Sequence, residues 1–415
     1  MSNTKKANYP ISGKVMLTIT LLLNILLHPS VLADVKYLNT GAVYAMTNDL
    51  YDNVVLIYDQ NVNGTLKLTG KIATGGKGGI GFPAEPNDAL GSANPLILSK
   101  DKKWLFAVNA GSNEISVFRT ERRAATRFNK AINKLVLVDK VNSGGEFPVS
   151  ITYDRGLLYV LNAGGDANIT GFYMTHEGRL KPLFRSTRTL NSGGGNPPFF
   201  LDSPAQVQFG PRGKMIVVTE KGSNEIHVFP LSYYGYPSLK PVSTISNGFT
   251  PFGFTFDRRG NLLVCEAFGT ATNPPLPPTG AAGAVSSYRI TYDGSLQIIS
   301  ASVGNFQTAT CWLAYSKGFA YATNNASHTI TGYRAYDNGK LQLLDTDGVT
   351  AETGIAPIDL GISSDGRFLY NVNAASGTIS MFQINPWNGS LKSLGEVSGL
   401  PASTQTSGAV GIAVR

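Results

Sequence analysis

The segment WLFAVNAGSNEISVF (Trp104–Phe118) decides the fold, because its pattern recurs along the chain. Two or three apolar residues precede an Asn or Glu, a short turn of Gly, Ser or Asn follows, and the unit ends in Ile-x-x-Phe or Ile-x-x-Tyr. Further copies are LLYVLNAGGDANITGF (Leu157–Phe172), MIVVTEKGSNEIHVF (Met215–Phe229), FAYATNNASHTITGY (Phe319–Tyr333) and FLYNVNAASGTISMF (Phe368–Phe382), with divergent copies that begin at Val43 and Leu262. Such repetition predicts a repeat architecture.

Each repeat contains several short apolar runs rich in Val, Ile, Tyr and Phe, which are typical of β-strands. Turn sequences separate these runs, including Asp or Asn followed by Gly, which supply the positive φ angles of hairpin turns. Three turns join four strands in each unit. An antiparallel four-stranded unit repeated seven times, at a spacing of roughly 50 residues, predicts an all-β, seven-bladed propeller.

The two ends of the chain predict how the ring closes. The first repeat lacks an innermost strand, whereas the last residues, Ala409–Val414, form an additional apolar run. A closed ring hides strand edges that an open array would expose. We therefore expect Ala409–Val414 to pair beside the strand around Val43–Met46.

The first 33 residues have the pattern of a secretory signal peptide. Lys5, Lys6 and Lys14 precede the apolar run Val15–Leu27, and a Val-x-Ala cleavage site ends at Ala33. An uncleaved anchor is the alternative, but the run is short for a spanning helix, which needs about 20 apolar residues. We expect a periplasmic or secreted protein with one propeller domain over residues 34–415 and no membrane span after cleavage.

Composition limits the partners and cofactors. The net charge of +8 falls to +5 without the three signal-peptide lysines, and no basic cluster stands among aromatics, so we expect no nucleic-acid partner. The three histidines of the mature chain, His176, His227 and His328, are scattered, which predicts no metal site. No nucleotide or cofactor motif appears, so we expect no cofactor and a monomer that binds a small molecule. Cys265 and Cys311 are either a disulfide or two buried thiols.

Three insertions predict where that small molecule binds. With the strands of each blade named A to D outward from the axis, B-to-C and D-to-A connections share one rim, here called the loop-rich rim. The long loops Gly75–Ala93, Asn191–Ser203 and Phe268–Gly283 all fall in these connections, whereas Glu121–Asn133 and Leu231–Ser238 fall in C-to-D turns on the opposite rim. Long loops on a rigid scaffold often form binding sites, although Pro-rich insertions are also tolerated without a role.

One polar position of the repeat provides candidate site residues at the end of strand B. Its occupants are Thr47, Asn109, Asn162, Glu220, Glu266, Asn324 and Asn373. An Asn here favours a structural role in capping the turn, with substrate binding as the alternative. Glu220 and Glu266 occupy adjacent blades, and two nearby carboxylates raise each other's proton affinity. Such a pair favours general base catalysis, or cation binding if both stay ionised; a solvated channel lining is the alternative. Lys221, Arg188 and His328 complete the candidate substrate-binding set.

The repeated Tyr-x-x-Asn and Ile-x-x-Phe motifs and the Asp365–Tyr370 turn resemble the seven-bladed propeller lactonase family, which includes propeller-type 6-phosphogluconolactonases and 3-carboxymuconate cyclases. The resemblance spans the mature chain and implies lactone chemistry. It also implies Gly-Pro-Arg-His at the start of the fourth blade, where this chain has Ser203-Pro204-Ala205-Gln206, and a second His near Pro148–Ser150, where none stands. Glu220 is retained.

Two functions follow as hypotheses. The first is an exported hydrolase of a small lactone or related cyclic ester, with Glu220 as base, Glu266 in support, and Lys77, Arg188 or Lys221 in place of the missing cation. The second is a non-catalytic ligand- or partner-binding propeller, similar to YVTN-repeat surface proteins.

Overall fold

The computed structural model describes residues 41–82, 86–123, 132–190, 192, 194–269, 282–404 and 408–415. The predicted signal peptide, residues 1–33, lies outside the described residues, as does most of the loop between Phe268 and Gly283. In the part of the chain that the structure describes, no helix has the length and apolar character needed to cross a membrane.

The described chain forms thirty β-strands, arranged as seven antiparallel sheets around an axis. Blade 1 contains β1 (Gly41–Met46), β2 (Val54–Gln60) and β3 (Leu66–Ala73). Blade 2 contains β4 (Leu96–Leu98), β5 (Trp104–Asn109), β6 (Glu114–Arg123) and β7 (Ile132–Asn142). Blade 3 contains β8 (Glu146–Asp154), β9 (Leu157–Gly164), β10 (Asn168–Met174), β11 (Leu180–Pro182) and β12 (Arg188–Thr189). Blade 4 contains β13 (Pro204–Phe209), β14 (Met215–Glu220), β15 (Glu225–Pro230) and β16 (Val242–Ile245).

The remaining blades repeat the pattern. Blade 5 contains β17 (Phe249–Phe256), β18 (Leu262–Phe268), β19 (Ala284–Ile290) and β20 (Leu296–Gly304). Blade 6 contains β21 (Thr310–Ser316), β22 (Phe319–Asn324), β23 (Thr329–Ala335), β24 (Leu341–Leu343) and β25 (Ala351–Glu352). Blade 7 contains β26 (Pro357–Ile362), β27 (Phe368–Asn373), β28 (Thr378–Ile384) and β29 (Leu391–Ser398), and the chain ends in β30 (Val410–Val414). Short 3-10 turns cover Pro86–Asp88, Ala110–Ser112 and Pro211–Gly213.

The predicted ring closure is confirmed. Strand β30 pairs antiparallel with β1, with Val414 opposite Val43 and Val410 opposite Met46, so the last strand completes the first blade. The innermost strands contact one another in the order β30, β4, β8, β13, β17, β21, β26 and back to β30. Every blade therefore has two neighbours, and the ring is closed.

Apolar side chains from the middle strands pack between neighbouring blades. The residues of β1 are all buried, and so are those of β22 and β27, because each faces a blade on either side. This explains why the apolar positions of the repeat vary so little: each copy fills the same space between two sheets.

The predicted positions of the long loops agree with the strand order. Loops β3–β4 and β12–β13 are D-to-A connections and β18–β19 is a B-to-C connection, so all three start from the loop-rich rim. The insertion at Glu121–Asn133 is partly strand rather than turn, since β6 continues to Arg123 and pairs there with Ile132. Blades 3 and 6 differ from the four-stranded prediction because two short strands, β11 with β12 and β24 with β25, share the outer position.

Candidate functional site

The loop after blade 1 lies across the inner ends of several blades on the loop-rich rim. We call residues 87–93 the axial segment. The hydroxyl of Ser92 donates to the Val149 carbonyl of blade 3 at 2.9 Å, and the indole Nε1 of Trp312 in blade 6 donates to the Ser92 carbonyl at 2.8 Å. The Ala93 N–H donates to the Ala205 carbonyl of blade 4 at 3.1 Å. Contacts with innermost strands on opposite sides of the ring place this segment over the axis.

The loop that contains the axial segment is joined to the second long loop through Phe82. The Phe82 N–H donates to the Pro198 carbonyl at 2.9 Å, and the Phe200 N–H donates to the Phe82 carbonyl at 2.7 Å. This parallel bridge holds the two loops together above blade 4. Two of the three predicted loops thus meet at the rim, as a shared binding surface requires; most of the third lies outside the described residues.

Lys221 lies beneath these two loops, directly after β14. Its side chain is buried, and its ammonium donates a hydrogen bond to the Gly91 carbonyl of the axial segment. The Nζ atom also lies 4.8 Å from the centre of the Phe200 ring and 5.0 Å from that of Phe252, at distances where an aromatic face attracts a cation. Lys221 is therefore a cation held between a carbonyl oxygen and two aromatic rings.

Burial lowers the pKa of the Lys221 ammonium to about 8, because the loss of water disfavours the charged form. The negative charge of Asp88 in the axial segment acts in the opposite direction. At neutral pH the ammonium is protonated, but it is closer to deprotonation than an exposed lysine. Such shifts are typical of functional lysines, although structural lysines also show them.

Glu220 does not share this environment. Its carboxylate is buried, its Oε2 accepts a hydrogen bond from the Ser223 hydroxyl at 3.0 Å, and the same oxygen lies 3.2 Å from Nε2 of His227. Its partners all belong to blade 4.

Glu266 is held within its own surroundings. Its carboxylate accepts hydrogen bonds from the Gly248 N–H at 2.8 Å, from the Ser302 hydroxyl at 2.7 Å and from the Ser246 hydroxyl at 3.2 Å. Burial raises the pKa of the Glu266 carboxyl above its usual value, and these hydrogen bonds oppose the shift. Within the described residues, no hydrogen bond or ion pair joins Glu266 to Glu220, and each carboxylate is bound by a separate set of groups.

The four asparagines of the same repeat position are buried and bonded within the rim. Asn109, Asn324 and Asn373 each donate to a Ser or Thr hydroxyl on strand C at 2.8–2.9 Å, and Asn162 donates to the Ser143 carbonyl. These contacts tie strand B to strand C and its neighbours, and the Asn109 side chain makes no capping hydrogen bond to the turn that follows it, so the turn-capping interpretation is not what these bonds show. Their role in substrate binding stays a prediction.

The remaining predicted ligands are dispersed. Arg188 lies in the outer strand β12, not in a loop, and its Nε donates to the Ser238 carbonyl at 2.7 Å. His328 is exposed, and its Nδ1 accepts the Ala356 N–H at 3.1 Å. Of the predicted set, Lys221 is the residue that contacts the axial segment.

Two positions where the family resemblance implies catalytic residues have structural contacts here. Gln206, in place of the implied His, bonds the Phe254 backbone of blade 5 twice, through both amide atoms at 2.8 Å. Ala205, in place of the implied Arg, is buried beneath Ala93 of the axial segment. The backbone of residue 205 is therefore bound to the axial segment, and its side chain here is a methyl group that supplies no charge.

Sequence reasoning missed Asp88, Phe200 and Phe252, which surround Lys221, because their proximity depends on how the loops fold over the axis. The position of His227 was visible in the repeat: other copies have Ser or Thr after the Ile of strand C, as at Ser116 and Thr331, and blade 4 has His.

A surface groove of about 410 Å³ between blades 6 and 7, lined by residues such as Thr353 and Glu396, is separate from Lys221.

Cys265 and Cys311 are both free and buried, so the two-thiol alternative is the correct one. The Sγ of Cys265 lies 3.7 Å from the Trp312 carbonyl oxygen, and burial raises the pKa of both thiols well above the usual value. Neither has the depressed pKa of a reactive cysteine.

Comparisons with known proteins agree with this fold. A search of curated proteins found no significant match. A candidate 6-phosphogluconolactonase from Bacteroides fragilis is 18% identical with a TM-score of 0.64, over 87% of this chain and 96% of that one. A second from Bacteroides uniformis is 17% identical with a TM-score of 0.67, over 90% and 99%. The periplasmic gluconolactonase of Pseudomonas aeruginosa is 15% identical with a TM-score of 0.62, over 88% and 98%.

At these identities the solved structures establish the fold alone. The sequence model described as "Lactonase, 7-bladed beta-propeller" matches residues 82–405, which is most of the chain. This chain belongs to the seven-bladed β-propeller lactonase family.

Proposed function

We propose that this protein hydrolyses a small lactone or related cyclic ester at the loop-rich rim, with Lys221 as the group that binds the carbonyl oxygen of the substrate. The observation that carries the proposal is the hydrogen bond from the buried Lys221 ammonium to the Gly91 carbonyl. The oxygen of a backbone carbonyl, like that of an ester carbonyl, accepts hydrogen bonds from a cationic donor. Gly91 therefore stands in for the substrate, which would replace it when the axial segment moves aside.

The chemistry needs a positive charge at this point. Attack of water on a lactone carbonyl converts its oxygen into an oxyanion, and a preorganised donor in a water-excluded site stabilises that charge. An ammonium with a pKa of about 8 is charged at neutral pH. Lys221 would thus do the work of the arginine that the family resemblance implies at position 205.

Substitution of Lys221 tests this proposal. Lys221→Met keeps the length of the side chain but removes the donor, and we expect hydrolysis to fall about 100-fold or more, as for the loss of an oxyanion donor. Lys221→Arg restores a cation and should recover part of the rate. Lys214→Met, at an exposed lysine directly before the other end of β14, is the matched control and should keep the parent rate.

The assay is a panel of five- and six-membered lactones, with folding of each variant checked by circular dichroism. Equal turnover by the parent and a folded Lys221→Met variant would contradict the role of Lys221. Absence of turnover by the parent over the whole panel would contradict the enzymatic function.

A second candidate, a non-catalytic binding propeller, is supported by one observation. Gln206 uses both of its amide atoms to bind the backbone of blade 5, so the position implied for a catalytic His has a structural role. This function predicts saturable stabilisation of the protein by a lactone without its consumption. Thermal shift and product analysis on the same samples separate the two functions.

Export to the periplasm or the medium belongs to the same proposal. It is supported by the three lysines, apolar run and Val-x-Ala site of residues 1–33. N-terminal sequencing of the exported protein should begin at Asp34. A mature chain that retains Met1 and stays in the cytoplasm would contradict export.

A further inference from the structure

We propose that Glu220, Glu225 and His227 form a binding site for a divalent transition-metal ion, with Zn²⁺ as the ion that fits first. The three residues lie where β14 and β15 meet in blade 4, with Glu220 opposite Glu225 in the strand register. One ligand atom from each residue can be chosen so that all lie within 4.8 Å of one another. The site is separate from the contacts of Lys221 and does not depend on the function proposed above.

The distances match a metal coordination shell. The Nε2 of His227 lies 3.2 Å from Oε2 of Glu220 and 3.7 Å from Oε2 of Glu225. Ligand atoms about 2.1 Å from a tetrahedral zinc ion lie about 3.4 Å from each other. The two distances to His227 are therefore close to those of a zinc site, and the carboxylate oxygens, which lie within 4.8 Å of each other, would draw together around the ion.

Two buried polar atoms at the centre of this group lack hydrogen bonds. Within the described part of the chain, Oε1 of Glu220 and Nε2 of His227 have no hydrogen-bond partner, and both side chains are almost completely buried. Burial of a carboxylate oxygen without a partner is costly. A cation between the imidazole and the carboxylates would satisfy both atoms at once.

The surroundings orient these ligands. The Oγ of Ser243 lies 2.8 Å from Nδ1 of His227; when Nδ1–H donates to it, Nε2 carries the free electron pair that a metal requires. The Ser223 hydroxyl fixes Oε2 of Glu220. Each buried ligand thus has a partner that sets its direction, as in established metal sites.

The composition of the site selects the class of ion. One imidazole and two carboxylates suit zinc and its neighbours among the first-row metals, whereas magnesium and calcium prefer oxygen ligands only. The two carboxylates neutralise the charge of a divalent ion. The side chain of Glu225 is 27% exposed, so it provides the route to solvent and leaves room for a water molecule as a fourth ligand.

The alternative structure for these residues is a buried ion pair between a protonated His227 and Glu220. Titration calorimetry of the chelator-treated full-length chain with ZnCl₂ separates the two. The metal site predicts one zinc ion per chain, and titration with CoCl₂ should give the visible absorption of a four-coordinate cobalt centre. Absence of zinc binding would overturn the proposal.

Variants locate the bound ion. Glu225→Gln changes a partly exposed residue and should weaken zinc binding tenfold or more without unfolding the protein; His227→Gln should abolish it. Two controls should keep the parent affinity: Glu114→Gln, at the same register position in blade 2, and His176→Gln, an exposed histidine. Parent-like affinity in Glu225→Gln would overturn the proposal even if His227→Gln fails to fold, and so would lost binding in His176→Gln.

Discussion

At the scale of single residues, the variable polar residue at the end of strand B forms a pair with a second residue, on strand C. The side chain at the end of strand B bonds to the residue that follows the Ile of strand C: Asn109 to Ser116 at 2.8 Å and Asn324 to Thr331 at 2.9 Å. In blade 4 the same two positions hold Glu220 and His227, 3.2 Å apart. The pair links strands B and C beneath the rim. In blade 4 both residues of the pair are ionisable, whereas in blades 2 and 6 both are neutral.

The neutral pair predicts a stability effect. Asn324 makes four hydrogen bonds to buried partners, with Asn305, Thr310, Thr329 and Thr331. Asn324→Ala leaves these groups without partners, so we expect the free energy of unfolding to fall by about 1–3 kcal/mol. Urea denaturation measures it, with Asn338→Ala in an exposed turn as the control. Similar losses in the two variants would contradict a specific role for the pair.

Lys221 predicts a pH dependence of stability. Its pKa is about 8 in the folded protein, against a usual value of 10.5 that applies to the unfolded chain. Between these values the unfolded state binds more protons, so the free energy of unfolding should rise as the pH increases from 8 toward 10. Urea midpoints at pH 7.5, 8.5 and 9.5 should rise relative to those of Lys221→Met. A constant difference between the two proteins across this range would contradict the lowered pKa.

At the scale of elements, the repeat predicted the strands and their order because each copy carries the same apolar alternation and turns. It could not predict the path of the axial segment, whose contacts with Val149, Ala205 and Trp312 come from three different blades. Arg188 shows the same limit: its sequence resembles a loop, yet pairing of Arg188 with Ile169 makes it an edge strand. Both depend on contacts between distant parts of the chain, which local pattern does not encode.

The axial segment has its own testable anchor in Trp312, whose indole is buried and donates to the Ser92 carbonyl. Trp312→Phe removes this donor and keeps an aromatic ring. Since one hydrogen bond contributes about 1 kcal/mol, we expect about fivefold faster amide hydrogen exchange at Gly91 and Ala93, with the blade strands unaffected. Trp387→Phe, at an exposed tryptophan, is the control. Unchanged exchange in Trp312→Phe would show that other contacts hold the segment.

At the scale of the whole molecule, stability depends on closure of the ring. Strand β30 supplies the innermost strand of blade 1 and contacts β26 and β4 on either side. Asp359 of blade 7 strengthens this joint, since its carboxylate accepts the Gly411 N–H at 2.9 Å and the Asn94 N–H at 3.3 Å. Three blades therefore meet around one buried carboxylate.

Removal of the last strand tests this closure. A chain that ends at Gly408 loses the pairing partner of β1 and exposes the inner edge of blade 1, so we expect the thermal midpoint to fall by 10 °C or more, or the chain to aggregate. A peptide with the sequence of residues 408–415, added during refolding, should restore part of the loss. An unchanged midpoint in the truncated chain would contradict the role of β30.

The two buried thiols can be used to detect transient separation of neighbouring blades. Cys265 and Cys311 belong to neighbouring blades and are unbridged, so reducing agents break no covalent bond between blades 5 and 6. Alkylation requires a thiolate that the reagent can reach. Burial raises the pKa of both thiols and keeps the reagent away from the two sulfur atoms. The rate at which a thiol reagent labels them in native buffer therefore measures how often the two blades separate.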